Sequence, residues 1–312
     1  MYACSPNWAA DWISAKNLNA CLSQLKNRIQ PSPWGADTTN LNYGLHFTGG
    51  EPFMNFDLLV TAVAKADAMQ IPSMFVETNC FWCRDNEATR EKLELLRKSG
   101  LVGILISVNP FYAEYIPFER TARGVLISRE IFGDNVVVYQ WEYFRQVLRL
   151  GIKHRIALDD YMQLTRRENI SQQVELFLTG RGAVRLRAFY PRYPAHFFYR
   201  ERCRPPFLRN WHNHFDNYGN ILPGYCGGIS LGHWNDLDEL FTEGIDIKRY
   251  PVLDYLIKED IEGLSRFAGN FGFRESPEGY VSKCDLCLDI RQCLVSRGEF
   301  LELCPREFYR HL

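Results

Sequence analysis

The chain has 312 residues and a mass of 36.4 kDa, which is more than one average domain. Its 36 lysines and arginines nearly balance its 37 aspartates and glutamates, and a formal charge of −1 argues against a nucleic-acid-binding or membrane-surface protein. Hydrophobic residues make up 46% of the chain, yet no stretch approaches the roughly 18 apolar residues of a membrane helix. The N-terminus shows no signal peptide, so we expect a cytoplasmic protein whose ten cysteines are not paired in disulfides.

Predicted helices and strands alternate through the first part of the chain. A helix is predicted from Trp8 to Ile29, followed by a strand at 43–47. The later elements are, in order, a helix at 55–70, a strand at 73–77, a helix at 86–99, a strand at 102–108, a helical region to 132, a strand at 135–139, helices to 150 and at 170–178, and a strand at 183–189. One strand and one helix about every thirty residues is typical of βαβ units, which form a parallel sheet or an α/β barrel. Chemistry in such folds lies at the C-terminal ends of the strands.

The pattern changes at Pro191, where the sequence becomes rich in proline and aromatic residues. Residues 235–269 have a helical pattern, and the remainder is predicted to form cysteine-rich loops. The sequence therefore predicts an α/β domain over residues 1–190 and a small cysteine-rich domain over residues 191–312.

Six of the ten cysteines lie in the predicted cysteine-rich domain, residues 191–312, and we regard them as candidate metal ligands. A spacing of two residues, as between Cys284 and Cys287, lets two thiolates face one metal or cluster. The six candidates are Cys203, Cys226, Cys284, Cys287, Cys293 and Cys304. The alternative is that individual thiols act as small buried hydrophobic groups. A second pair, Cys80 and Cys83, has no partner pair nearby, and incidental loop thiols are favoured there over a metal site or redox pair.

A glycine-rich turn, Thr48-Gly-Gly-Glu-Pro52, follows the first predicted strand. Its two glycines let the backbone approach a ligand closely, and Glu51 places a carboxylate beside them. Pro52 fixes the direction in which the chain leaves. Such a loop could hold an amino group, and it could equally be a plain connection from strand to helix.

Together, this turn and the cysteine-rich tail resemble the radical S-adenosylmethionine (SAM) enzymes, which combine a partial (β/α)6-type barrel with an iron–sulfur cluster. The resemblance implies that Gly49, Gly50, Glu51 and Pro52 contact the amino group of the cofactor's methionine. It also implies cofactor-binding roles for Thr78 and Asn79 after the next strand, and for Ser107 and Asn109 after the one that follows. The tail resembles the SPASM or twitch extension of that family, which carries auxiliary [4Fe-4S] clusters.

Two departures from the family pattern matter. Position 297 is arginine where a full SPASM pattern has cysteine, so one auxiliary cluster is predicted. Its ligands are either Cys203, Cys226, Cys284 and Cys287, which we favour, or Cys284, Cys287, Cys293 and Cys304. The 312 residues also lack the Cys-x3-Cys-x2-Cys motif that holds the radical-generating cluster. We expect that the chain as given begins after this motif, so that it does not cleave the cofactor.

The resemblance implies a function for the intact form. It would reductively cleave SAM to a 5′-deoxyadenosyl radical and modify a peptide or small-molecule substrate, with a reductant protein as electron donor. The alternative is a non-catalytic scaffold whose tail cysteines hold structural zinc or an iron–sulfur cluster.

Overall fold

The computed structural model describes residues 7–167, 176–203 and 212–312 and divides the chain into two compact units. One unit, called here the sheet unit, is Leu18–Glu175. The other, called the cysteine unit, combines Met1–Asn17 with Leu176–Leu312. The first seventeen residues thus belong to the same unit as the C-terminal part of the chain, although they lie far from it in sequence.

The sheet unit is built around a parallel sheet of four strands in the order β1-β2-β3-β4. The strands are β1 (His46–Phe47), β2 (Phe75–Thr78), β3 (Gly103–Ser107) and β4 (Val136–Tyr139). Every residue of β3 is buried, as its nearly continuous apolar sequence predicts for a strand covered on both faces. The chain is therefore a mixed α/β protein, and the predicted succession of parallel strands is confirmed for these four.

Seven helices lie between residues 15 and 167. They are α1 (Ala15–Leu25), α2 (Phe56–Ala68), α3 (Asn86–Lys98), α4 (Pro110–Ala113), α5 (Phe118–Phe132), α6 (Trp141–Arg149) and α7 (Leu158–Arg167). The helix predicted from Trp8 begins only at Ala15, because Ser14 Oγ accepts a hydrogen bond from the Asn17 amide and so caps the helix at that point.

Most of the regular secondary structure in the described part of the cysteine unit is helical. Its helices are α8 (Gly180–Leu186), α9 (Leu237–Glu243), α10 (Pro251–Ile257), α11 (Ile261–Gly269), α12 (Lys283–Arg297) and α13 (Arg306–Arg310). Strands β5 (Asn213–Phe215) and β6 (Ile221–Pro223) form an antiparallel hairpin. Leucines and isoleucines of α10, α11 and α12 build the hydrophobic core of this unit.

Two predictions for this region are wrong. The segment predicted as a strand at 183–189 begins within helix α8, because its buried residues Ala183 and Leu186 are three positions apart and share one helical face. Cys284, Cys287 and Cys293 lie on helix α12 and not in loops. Of the helix predicted at 170–178, residues 170–175 lie outside the described residues and 176–178 are not helical. Among the helices that the structure describes, none is long and apolar enough to cross a membrane.

Candidate metal centre

Four of the six candidate cysteines line a single cavity in the cysteine unit. The cavity has a volume of about 60 Å³, several times the roughly 10–15 Å³ that one water molecule needs. Two basic residues, Lys283 and Arg291, line it as well. The four cysteines are Cys203, Cys226, Cys284 and Cys287.

Helix α12 supplies two of these thiols and the arginine from one face. With 3.6 residues per turn, positions separated by three, four or seven residues lie on the same side of a helix. Cys284, Cys287 and Arg291 have these separations, so their side chains project toward the same cavity. Ser282 caps the start of α12 by accepting a hydrogen bond from the Asp285 amide at 3.1 Å.

An ion pair between a partly exposed arginine and a buried aspartate fixes the first turn of α12. Asp285, between the two cysteines, is fully buried, and its Oδ1 accepts hydrogen bonds from Arg187 Nη2 at 2.6 Å and Nε at 3.1 Å. Its Oδ2 accepts a third from the Val281 amide at 3.1 Å. Such a charge-assisted bidentate contact holds the backbone of the Cys-x2-Cys turn in one orientation.

The turn that follows β6 brings Cys226 to the cavity. The Cys226 amide donates to the Pro223 carbonyl oxygen at 3.0 Å, which closes the turn. Gly227 and Gly228 follow directly, and a Cβ at either would lie about 2.5 Å from the Phe308 ring. Only glycine permits this close approach, so the Gly-Gly pair sets how near Cys226 comes to the rest of the unit.

Cys203 reaches the cavity from an extended segment. Its amide donates to Glu259 Oε1 at 3.1 Å. The neighbouring Lys283, which is 6% exposed, donates from Nζ to the carbonyl oxygen of Glu201. The backbone groups of Glu201 and Cys203, two residues apart in the chain, thus hold this segment beside Lys283 and Glu259.

The electrostatics of the cavity reflect how close its groups are. Burial raises the pKa of Cys226 to about 12; Arg291 lowers this pKa, and Cys287, Cys284 and Cys203 raise it. Burial also raises the pKa of the Cys203 thiol, while Lys283 lowers it. Without a bound metal the Cys203 and Cys226 thiols hold their protons at neutral pH, so metal binding there must release protons.

The spacing of the four thiols bears on what they could ligate. A zinc ion with four thiolates at about 2.3 Å keeps its sulfur atoms within about 4 Å of one another. Among the described residues, no three of these four thiols form a group close enough to ligate one ion as they stand. A cluster of several irons spreads its cysteine ligands around a larger core. Four cysteine thiols are also the ligand type of iron–sulfur clusters, so the lining is chemically compatible with such a group.

The remaining two candidate cysteines, both within the described part of the chain, are not among the residues that line the cavity. Cys293 lies on α12 but nine residues after Cys284, which places it on the opposite side of the helix. Its Sγ lies 3.9 Å from the Phe271 carbonyl oxygen. Cys304 precedes α13. Burial raises the pKa of the Cys304 thiol, and the charge of Arg306 lowers this pKa.

The residues assigned to a SAM-type cofactor lie at the C-terminal edge of the sheet. Glu77, at the end of β2, accepts hydrogen bonds from the hydroxyl of Thr48 after β1, at 3.1 Å, and from that of Ser107 in β3. This carboxylate thus bridges three neighbouring strand ends. A Cβ built on Gly49 or Gly50 would meet no heavy atom within 4 Å, so packing does not crowd the backbone of this turn.

Glu51 is turned inward. Its carboxylate accepts hydrogen bonds from the Thr78 hydroxyl and the Asn79 amide, each at 2.8 Å, and from the Phe53 amide at 3.2 Å. Pro52 opens a short 3-10 helix of which Glu51 is the N-cap. The carboxylate therefore shapes the turn through these three hydrogen bonds.

Two asparagines assigned to the same cofactor cap local structure. Asn79 Oδ1 accepts a hydrogen bond from the Phe81 amide at 3.0 Å. Asn109 Oδ1 accepts one from the Tyr112 amide, also at 3.0 Å, and begins α4. Both side chains have the turn-forming role that asparagine commonly fills.

The two basic residues of the cavity, Lys283 and Arg291, were not predicted from the sequence. Lys283 directly precedes Cys284, and Arg291 lies one helical turn after Cys287. The signal that could have found them is Ser282-x-x-Asp285, a capping pattern before an apolar run. Once α12 is seen to begin there, Arg291 falls on the face of the two cysteines.

No protein-family model matches this chain, and no curated protein matches its sequence. The likeness to radical SAM enzymes is therefore carried by the Gly-Gly-Glu-Pro turn and the cysteine spacing alone.

Proposed function

We propose that this chain is an iron–sulfur protein that ligates one [4Fe-4S] cluster through Cys203, Cys226, Cys284 and Cys287. The observation that carries the proposal is the shared cavity, in which four thiols from three separate segments meet two buried basic residues. Cationic groups beside thiols favour the thiolate form that binds iron. A protein that used these cysteines only as small hydrophobic groups would not need the two cations.

The wider proposal is that the chain follows the plan of radical SAM enzymes with a twitch-like extension. The four parallel strands, with a glycine-rich turn after β1, support a partial barrel of the (β/α)6 type. In the intact form, SAM and a reductant protein would supply the 5′-deoxyadenosyl radical that modifies a peptide or small-molecule substrate. The 312 residues contain no Cys-x3-Cys-x2-Cys motif, so we expect this chain to bind iron at the cysteine unit and to leave SAM intact.

Anaerobic reconstitution tests the cluster. We expect a brown protein that absorbs near ~400 nm and contains about four irons and four sulfides per chain. Serine at Cys203, Cys226, Cys284 or Cys287 should abolish most of this absorbance. The matched controls are Cys293→Ser on the same helix as two of the ligands, and Cys304→Ser, both of which should retain it.

Three outcomes would contradict the proposal. Loss of iron in Cys293→Ser and Cys304→Ser with retention in Cys203→Ser and Cys226→Ser would assign the other ligand set. A colourless protein with one tightly held zinc would support a structural metal scaffold. Release of 5′-deoxyadenosine by this chain with SAM and dithionite would show that it holds a radical-generating cluster after all.

A further inference from the structure

Arg291 is a buried cation that lies beside the thiols of the cavity. Its side chain is 6% exposed, and Nη1 donates to the Gly227 carbonyl oxygen and to the Tyr309 hydroxyl, each at 2.9 Å. Its Nε is buried without a hydrogen-bond partner, and no carboxylate among the described residues forms an ion pair with it. An uncompensated buried charge is strongly unfavourable, so the surroundings must supply an anion.

Three groups that could become anionic surround this guanidinium, and two of them are thiols of the cavity. Burial lowers the pKa of Arg291, but interactions with Tyr309, Cys287 and Cys226 more than offset this and raise it. Arg291 also lies on the cavity-facing side of α12, one turn from Cys287. Cluster-bound thiolates would place negative charge where the guanidinium has an unused donor.

A purely structural role would use only part of this geometry. The contacts of Nη1 connect the Gly227 turn to Tyr309, and the Tyr309 hydroxyl in turn donates to the Gly228 carbonyl oxygen. These bonds hold the loop of Cys226 against α13. They do not involve Nε and need no positive charge, because a neutral amide could donate to the same oxygens.

We infer that Arg291 is a positioning residue that sets the reduction potential of the cluster, an inference that rests on the proposed function. In the titration, dithionite supplies one electron to the oxidised cluster, and no bond forms or breaks. With four thiolates, the cluster carries two negative charges before reduction and three after it. A fixed buried cation stabilises the more negative state, so Arg291 raises the potential.

The test compares the potential of the reconstituted wild type with that of Arg291→Gln and Arg291→Lys. The glutamine variant should make reduction at least about tenfold less favourable, which is about 59 mV for a one-electron couple. The lysine variant keeps the charge and should stay within a third of that shift. Arg266→Gln, an exposed residue of α11 paired with Glu262, is the charge-matched control and should leave the potential unchanged.

An unchanged potential in Arg291→Gln would overturn the inference while leaving the proposed function intact. If that variant does not fold, Arg291→Met, which also removes the charge, takes its place with the same expected shift of about 59 mV, and an unchanged potential in it overturns the inference. A lysine variant shifted by about 59 mV or more also overturns it. If the wild type assembles no cluster, the proposed function fails and the inference falls with it.

Discussion

At the scale of single residues, Glu51 is the clearest case of a side chain whose environment changes its chemistry. It is 5% exposed and joins the turn after β1 to the end of β2. Burial raises the pKa of Glu51 to about 7, the hydrogen bonds from Asn79, Thr78 and Phe53 oppose the rise, and the charge of Glu77 adds to it. The folded chain therefore binds a proton at pH values where an exposed glutamate is ionised.

This pKa predicts how stability depends on pH. Between pH 4.5, the ordinary value, and about 7, the folded chain keeps a proton that the unfolded chain has lost. The contribution of Glu51 to stability is thus complete below pH 4.5 and is lost as the pH rises through about 7. We expect it to change the free energy of unfolding by about 3 kcal/mol over this window. Urea unfolding of the wild type and Glu51→Gln at several pH values measures it.

The comparison has a simple control. Glu91 is exposed on α3, and Glu91→Gln should follow the wild-type pH profile. Subtracting the Glu51→Gln profile from that of the wild type isolates the contribution of Glu51, because these two proteins share their other titrating groups. A Glu51→Gln profile parallel to that of the wild type between pH 4.5 and 7 would contradict the assignment.

At the scale of elements, a glycine without a side chain lets α5 pack closely against the loop after β2. A Cβ on Gly124 would lie 2.5 Å from Cys80 Sγ and 3.2 Å from Cys83 Sγ. Arg120 and Arg123 of the same helix donate to the carbonyl oxygens of Phe81 and Cys83. The two thiols are fully buried, and a hydrogen bond with Cys83 together with burial raises the pKa of Cys80 well above its ordinary value. In this state they act as packing groups.

Gly124→Ala should therefore be destabilising although alanine favours helices. We expect a loss of about 1–3 kcal/mol in the free energy of unfolding, because the added methyl overlaps Cys80 Sγ. The double variant Gly124→Ala with Cys80→Ala should recover part of it, since the sulfur is gone. Gly269→Ala, at the end of α11, is the control, because its Cβ would meet nothing within 4 Å. Equal stability of Gly124→Ala and the wild type in urea unfolding would contradict the packing argument.

The elements also show how far the sequence could be interpreted unaided. The helix at α3 and the strand at β3 were predictable, because their signals are local: a capping Asp85 for one and an unbroken apolar run for the other. Helix α8 was not predictable from the sequence, since Val184, Leu186 and Ala188 alternate with polar residues as in a strand. Periodicity over so few residues fits both structures, and tertiary packing decides between them.

The same limit applies to the metal centre. Spacing alone identified Cys284 and Cys287 as a pair and left two ligand sets open. Helical geometry then places Cys293 away from the other two, whereas a loop would have imposed no such restriction. The approach of Cys226 depends on the contact of Gly227 and Gly228 with Phe308, a long-range packing that no local pattern encodes.

At the scale of the whole molecule, the cysteines divide between two units with separate cores. The sheet unit buries its apolar residues around β2 and β3, and its buried thiols Cys80 and Cys83 pack against α5. The core of the cysteine unit is built from α10, α11 and α12 and includes the partly buried Cys226 and Cys287. A cluster ligated by Cys203, Cys226, Cys284 and Cys287 would cross-link three segments, all of them in the cysteine unit.

This division predicts which segments lose order when the cluster is removed. A ligand that binds only the folded state stabilises the structure that holds it, and metal-dependent domains lose order locally when the metal is withdrawn. After treatment with EDTA and ferricyanide, we expect amide hydrogen exchange to accelerate at least about tenfold in peptides from α12 and from residues 221–228. Peptides from α3 and β3 should exchange as before, because their hydrogen bonds depend on the sheet core.

Hydrogen exchange measured by mass spectrometry on the reconstituted and stripped protein checks this prediction. Cys293→Ser, loaded and stripped in parallel, should reproduce the wild-type pattern, since that thiol is not among those that line the cavity. Cys287→Ser should exchange like the stripped wild type under both conditions, because the cluster cannot be held by the remaining three thiols. Acceleration spread equally over α3 and α12 would mean that the cluster supports the fold of both units, and no change in α12 would remove it from the proposed site.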